Sequence, residues 1–141
     1  MKKIFISSDH AGFNLKEVIK NYLNKKNIYF QDLGPSNYRK VDYPDYAHKV
    51  AKKVKISKKN IGILVCGSGT GMSIAANKHK NIRAAQCFNL KSTKLSRLHN
   101  DANIITLGSR LVTKKNALKF ISVFLSTKFE GGRHLKRVRK I

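Results

Sequence analysis

Acidic residues are scarce in this chain. Seven Asp and Glu stand against thirty Lys and Arg in 141 residues, a formal net charge of +23. Such an excess points first to a polyanion, either nucleic acid or an acidic membrane surface. The distribution of charge argues against that reading. The lysines are scattered, as at Lys52-Lys53, Lys58-Lys59 and Lys114-Lys115. No basic stripe is interleaved with aromatics, and no Lys/Arg-Gly-Phe signature of RNA binding is present. A general lysine bias accounts for the charge, and a specific nucleic-acid partner is not expected. Cysteine is scarcer still. The two cysteines each end an apolar run, which excludes a disulfide framework and gives no zinc-ligand spacing, so no metal is expected. No apolar run is long enough to cross a bilayer, which excludes a membrane span. Met1-Lys-Lys-Ile-Phe-Ile lacks the apolar core and small-residue cleavage site of a signal peptide. Repeats and low-complexity linkers are also absent. The expectation is a single cytoplasmic domain over 1–141, large enough to bury a real core.

What is present is organised around Ile61-Gly-Ile-Leu-Val-Cys-Gly-Ser-Gly-Thr-Gly-Met-Ser-Ile-Ala-Ala-Asn-Lys78. An apolar run ending at Cys66 reads as a buried strand. Gly67, Gly69 and Gly71 follow at alternate positions, and a helix starts behind them. Glycines at such a turn let the backbone bend sharply and turn its N–H groups outward. With a helix N-terminus behind, they suit an anion or a developing oxyanion. Cys66 sits at the lip, where a nearby helix N-terminus favours a thiolate. The spacing is neither the dinucleotide fingerprint nor a P-loop. Taken alone, Cys66 reads better as a small buried hydrophobe, and only its company elsewhere in the chain changes that.

The rest of the chain alternates strand and helix. Strands are expected over 3–8, 28–33, 61–66, 82–87 and 102–107. Helices are expected over 13–26, from Pro44 to Val54, over 71–78 and 90–99, and from Thr113 as N-cap through Ser126. A basic tail over 130–141 carries a short helix after Gly132. Five alternations argue for an α/β fold: a three-layer, doubly wound, five-stranded parallel sheet of Rossmann-like type with a C-terminal tail helix. Ligands in such folds bind beyond the carboxyl ends of the strands, where strand order reverses. In a flavodoxin-like order that point lies between strands one and three. Asp9-His10 and Cys66-Gly67-Ser68 follow those two strands.

The chemistry-bearing candidates are Asp9, His10, Cys66, Ser68, His99, Asn100, Arg110, Arg133 and Arg137. A thiolate serves as nucleophile or general base, and a histidine exchanges protons near neutrality. The amides of Gly67, Ser68, Gly69, Thr70 and Gly71 can hold an enediolate oxygen. Several arginines can clamp a phosphate. These are the parts for proton transfer beside a sugar carbonyl. Each has a plainer reading. Asp9 could cap the first helix, His10 could bond its turn, and His99 could serve a helix end. Arg133 and Arg137, four apart and on one helical face, could be solvated. Tyr43 could border the pocket. Cys87 reads as core. His48 and His79 read as exposed, with no role.

The segments Ser8-Asp-His-Ala-Gly-Phe13, Val41-Asp-Tyr-Pro44, Ile63–Lys78, Ile82-Arg-Ala84, Leu95–Asn103, Leu107-Gly-Ser-Arg110 and Phe129-Glu-Gly-Gly-Arg-His134 with Arg137-Val138 resemble, in order and over essentially the whole chain, the type B ribose-5-phosphate isomerases. That family also includes the subunits of galactose-6-phosphate isomerase. The resemblance implies an aldose–ketose isomerase of the pentose phosphate pathway, interconverting ribose 5-phosphate and ribulose 5-phosphate without a cofactor. It implies Cys66 as the base between C1 and C2, and His99 as the group that opens the furanose ring. It implies Asp9, His10, Asn100 and the 67–71 loop around the sugar, and Arg110, Arg133 and Arg137 on phosphate. Part of the family uses a carboxylate after the glycine loop as base. No acid stands near Ser73 here, so Cys66 takes that role. The resemblance further implies a homodimer that shares residues between subunits, with the 129–141 tail on the partner. Pairing of dimers into a tetramer stays open. An isomerase of allose or galactose 6-phosphate is the nearest alternative, and a basic nucleic-acid-binding protein the remote one.

Overall fold

Strand β3 (Ile61–Cys66) lies at the centre of a five-stranded parallel sheet, buried along its whole length. A computed structural model describes all 141 residues. Around β3 stand β1 (Ile4–Ser8), β2 (Gln31–Asp32), β5 (Ile104–Gly108) and β4 (Ala84–Gln86), in the order β2-β1-β3-β5-β4. Ile61, Ile63 and Val65 face one side and Leu64 and Cys66 the other, the two-residue alternation of a strand covered on both faces. Helices α1 (Phe13–Lys25), α4 (Leu90–Asn100) and α5 (Lys114–Ser126) cover the first face; α2 (Tyr43–Val54) and α3 (Thr70–Ala76) cover the second. Helix α6 (Arg133–Val138) closes the chain and touches α4. No helix is long and apolar enough to cross a membrane.

The flavodoxin-like order holds only in part. Strand β5 inserts between β3 and β4, pairing Cys66 with Gly108. The reversal between β1 and β3 survives, and the β5 turn now borders the Cys66 loop. Two strands are shorter than expected. Strand β2 keeps only Gln31 and Asp32, because Tyr29 is exposed and the run sits at a sheet edge with one neighbour. Strand β4, at the other edge, is three residues long. Thr113 caps α5 as expected, its hydroxyl accepting from the Asn116 N–H at 3.2 Å. His48 and His79 are not exposed singletons. They are half-buried, with Nδ1 of one 2.7 Å from Nε2 of the other, because α2 and α3 pack side by side.

Candidate active site

The β3 strand delivers Cys66 to the carboxyl edge of the sheet with its side chain buried. The chain then turns through Gly69, whose φ of +78° suits a residue without Cβ. That turn aims the Gly69 N–H at the Cys66 sulfur, 3.1 Å away. The Thr70 N–H donates to the Ser68 hydroxyl at 3.2 Å, so two of the loop amides are engaged within the loop itself. Gln86 fastens the outside of the loop, donating to the Ser68 carbonyl at 2.7 Å. The β5 turn adds Ser109 N–H to the Cys66 carbonyl at 2.8 Å and Arg110 N–H to the Gly67 carbonyl at 3.0 Å. The Arg110 guanidinium thereby lies over Gly67, in the space a side chain there would fill. The Tyr43 ring occupies the corresponding space at Gly71, so Tyr43 does border the loop.

The turn after β1 meets this loop from the neighbouring strand. Asp9 is buried, and its carboxylate accepts from the Gly12 N–H at 2.9 Å; Gly12 is the N-cap of α1, so this bond closes the turn before the helix and does not cap its first turn. Nδ1 of His10 accepts from the Val41 N–H at 3.3 Å. A nitrogen that accepts carries no hydrogen, so in the neutral ring Nε2 is the donor. Asp9, His10, Cys66, Gly67–Gly71, Tyr43 and Arg110 thus collect along the carboxyl edge of β1, β3 and β5.

His99 and Asn100 end α4, and Asp101 follows in the left-handed region at φ 45°. Two arginines hold that cap. Arg83 donates to the Asp101 carbonyl and carboxylate, and Arg97 donates to the carboxylate at 2.9 Å. A cavity of about 410 Å³ opens beside it, lined by His99, Asn100, His134, Arg137, Val138 and Ile141. The His99 and His134 rings stack, with centroids 4.1 Å apart and planes 14° from parallel. Glu130 Oε2 lies 3.8 Å from Nε2 of His99 and 3.9 Å from Nε2 of His134. Burial lowers the His134 pKa from its ordinary value, as do His99, Arg133 and Arg137, against the opposing pull of Glu130. These three side chains also offer ligand atoms within 4.8 Å of one another. Stacked imidazoles direct their lone pairs along parallel planes, however, and those planes do not meet at one ion.

A family model described as Ribose/Galactose Isomerase matches residues 4–141. The chain belongs to the ribose/galactose isomerase family. It is 43% identical over 141 residues to ribose-5-phosphate isomerase B of Escherichia coli, covering all of this chain and 95% of that one. Its fold matches the crystal structure of a ribose 5-phosphate isomerase from Thermotoga maritima with a TM-score of 0.95, at 50% identity over 99% of this chain and 96% of the other. It also matches ribose-5-phosphate isomerase B of Mycoplasma genitalium with bound ribulose-5-phosphate, with a TM-score of 0.94 at 46% identity, covering 98% and 92% of the two chains.

In this isomerase-family chain the candidate residues form two groups rather than one. Gly62 pairs with Ile104 and Cys66 with Gly108, so the start and end of β5 are four residues apart. At ~3.3 Å per residue that is about 13 Å. His99 and Asn100 precede β5, whereas the Cys66 loop lies past its end. One chain does not bring the two groups together. A larger groove of about 850 Å³ near Lys55, Lys78 and Arg139 adjoins the second group, since it shares Val138 and Ile141 with the smaller cavity and is also lined by Asp101. Sequence reasoning assigned nothing to His134, Glu130 or Asp101. Glu130 precedes α6 and is separated from it by Gly131 and Gly132, both at positive φ, so its four-residue spacing from His134 is not a helical one and gave no signal. Cys87 is core as expected, and burial pushes its thiol pKa up despite hydrogen bonds from Thr93 and Ser96.

Proposed function

We propose that this protein interconverts ribose 5-phosphate and ribulose 5-phosphate through an enediolate, with Cys66 as the base. The observation that carries the assignment is the sulfur itself: buried, at the carboxyl edge of the central strand, and facing a backbone donor. His99 opens the furanose. The Cys66 thiolate takes the C2 proton, and the electrons move onto the C1 oxygen to form a cis-enediolate. Free donors of the 67–71 loop and the Ser68 hydroxyl hold the negative oxygens. Return of the proton to C1 gives the ketose. General base catalysis and oxyanion donors each supply about a hundredfold or more. Asp9 and Asn100 hold sugar hydroxyls. Arg110, Arg133, Arg137 and the Nε2 donor of His10 hold the phosphate.

The separation of the two groups supports a shared site. In this reading, Cys66, Asp9, His10 and Arg110 of one copy face His99, Asn100, Arg133 and Arg137 of a second, whose tail, folded on its own α4 rather than reaching across to a partner as expected, carries the two tail arginines to the shared site. The working unit is a homodimer, and the reaction belongs to the pentose phosphate pathway.

Turnover of ribose 5-phosphate, allose 6-phosphate and galactose 6-phosphate side by side tests the substrate assignment. The reading expects the highest kcat/KM on ribose 5-phosphate. A higher value on either six-carbon sugar would replace it.

A further inference from the structure

His134 is a buried histidine that makes no side-chain hydrogen bond, and its Nε2 has no partner. An aliphatic side chain would fill the same space without burying an unpaired nitrogen. What His134 does have is a face-to-face contact with His99, centroids 4.1 Å apart. The two rings come from separate segments, and the contact is braced. The Glu130 N–H donates to the Leu98 carbonyl at 3.1 Å, tying the tail to the last turn of α4. His134 N–H then donates to Gly131 O at 3.0 Å as α6 begins. The segment carrying His134 is therefore fastened to the helix that carries His99. Both rings line the same cavity with Asn100 and Arg137.

We propose that His134 is a positioning residue: its ring is the flat platform that fixes the plane of His99 for opening the sugar ring. The proposal rests on the reading of His99 given above. Ring opening breaks the bond between C1 and the ring oxygen. His99 gives a proton to that oxygen as the C1 carbonyl forms. The C1 hydroxyl proton leaves to solvent, from which His99 recovers its own. Proton delivery is directional, and a rotated imidazole delivers poorly. A charged platform would repel a protonated His99; burial first, then His99, Arg133 and Arg137, against the pull of Glu130, lower the His134 pKa and so favour its neutral form. The titratable groups facing His134 are His99, Glu130, Arg133 and Arg137. Glu130 sits beside both rings without bonding either.

Two reactions separate ring opening from the later proton transfer. Ribose 5-phosphate is a furanose and must open. Ribulose 5-phosphate cannot close a five-membered ring, because its O5 is esterified. Exchange of its C1 hydrogen with D₂O therefore reports enediolate formation alone. The experiment measures both reactions for His134→Leu, which keeps bulk without a flat ring, and for His134→Phe, which keeps the flat ring without nitrogen. Loss of orientation should cost His134→Leu about tenfold or more in kcat on ribose 5-phosphate, with KM and the exchange rate within about twofold. His134→Phe should restore most of that kcat. His134→Gln replaces His134→Leu if the latter does not fold. Equal losses in both reactions, no loss in His134→Leu, or no rescue by Phe would each overturn the proposal. His99→Asn is the reference. If it spares ribose 5-phosphate turnover, the ring-opening reading fails. If it slows turnover while His134→Leu does not, only the platform fails.

Discussion

The Gly69 N–H points at the Cys66 sulfur from 3.1 Å, and Gly69 can do so only because its φ is +78°. The contact spans three residues, so it is local to the loop and needs no distant support. A Cβ on Gly69 would lie 3.0 Å from the Leu107 carbonyl carbon. Gly69→Ala therefore meets both the left-handed backbone and the β5 chain. The expected cost is about 1–2 kcal/mol of stability from the backbone alone. It should be accompanied by a drop in kcat of about tenfold or more as the donor leaves the sulfur. Thermal unfolding and steady-state kinetics on the same variant check the pair.

The two residue groups at opposite ends of β5 give a test of sharing between copies. Cys66→Ala and Arg137→Ala should each be inactive alone. Unfolded together and refolded, half of the dimers pair one of each, and each mixed dimer rebuilds one intact site of two. About a quarter of the wild-type activity should return. A mixture as inactive as its components would place each site within one copy.

Histidines set the response of stability to mild acid. The His79 pKa lies below its ordinary value of 6.5 through burial first, then through His48, Lys55 and Lys52; that of His134 is lowered as described above. Both groups bind protons more weakly in the folded chain than in the unfolded one. Their contribution is complete above about pH 6.5 and is lost as pH falls through the folded-state values. The melting temperature should decline as the pH goes from about 7 to about 5, and His79→Gln should flatten part of that slope. A melting temperature independent of pH over this range would contradict the weakened proton binding of His79 and His134 in the folded chain.

Much of this was legible in the sequence, for reasons that differ by element. Ile61–Cys66 is read to the residue because a central parallel strand must be apolar throughout, and a Cys-Gly turn marks its end. Helices α1 and α5 are read to within one residue from their apolar spacing and, in α5, from Thr113. The edge strands are overread because apolar content at Ile28, Phe30, Ile82 and Cys87 signals burial, not pairing. Strand order was out of reach, since nothing local says that β5 passes between β3 and β4. Lys16 shows the same limit. Nothing local in the sequence marks it out, yet it is wholly buried, donating to Asp32 at 2.9 and 3.0 Å and to the Pro35 carbonyl at 2.6 Å. Burial alone would raise the Asp32 pKa, but hydrogen bonds from Lys20, Gly34 and Lys16 outweigh it and lower the value. Among the site residues, Cys66, the glycine loop and the arginines stand in recognisable segments. His134 does not announce itself, because its partner His99 is thirty-five positions away and meets it only when α6 folds back on α4.

The most direct measurement is C1 hydrogen exchange of ribulose 5-phosphate in D₂O, catalysed by Cys66→Ala and compared with the wild type. The exchange needs only a base at the sugar carbons, so it isolates the role given to the sulfur. The account predicts a loss of about a hundredfold or more with the fold retained by circular dichroism. Exchange within about tenfold of the wild type would show that another group carries the proton.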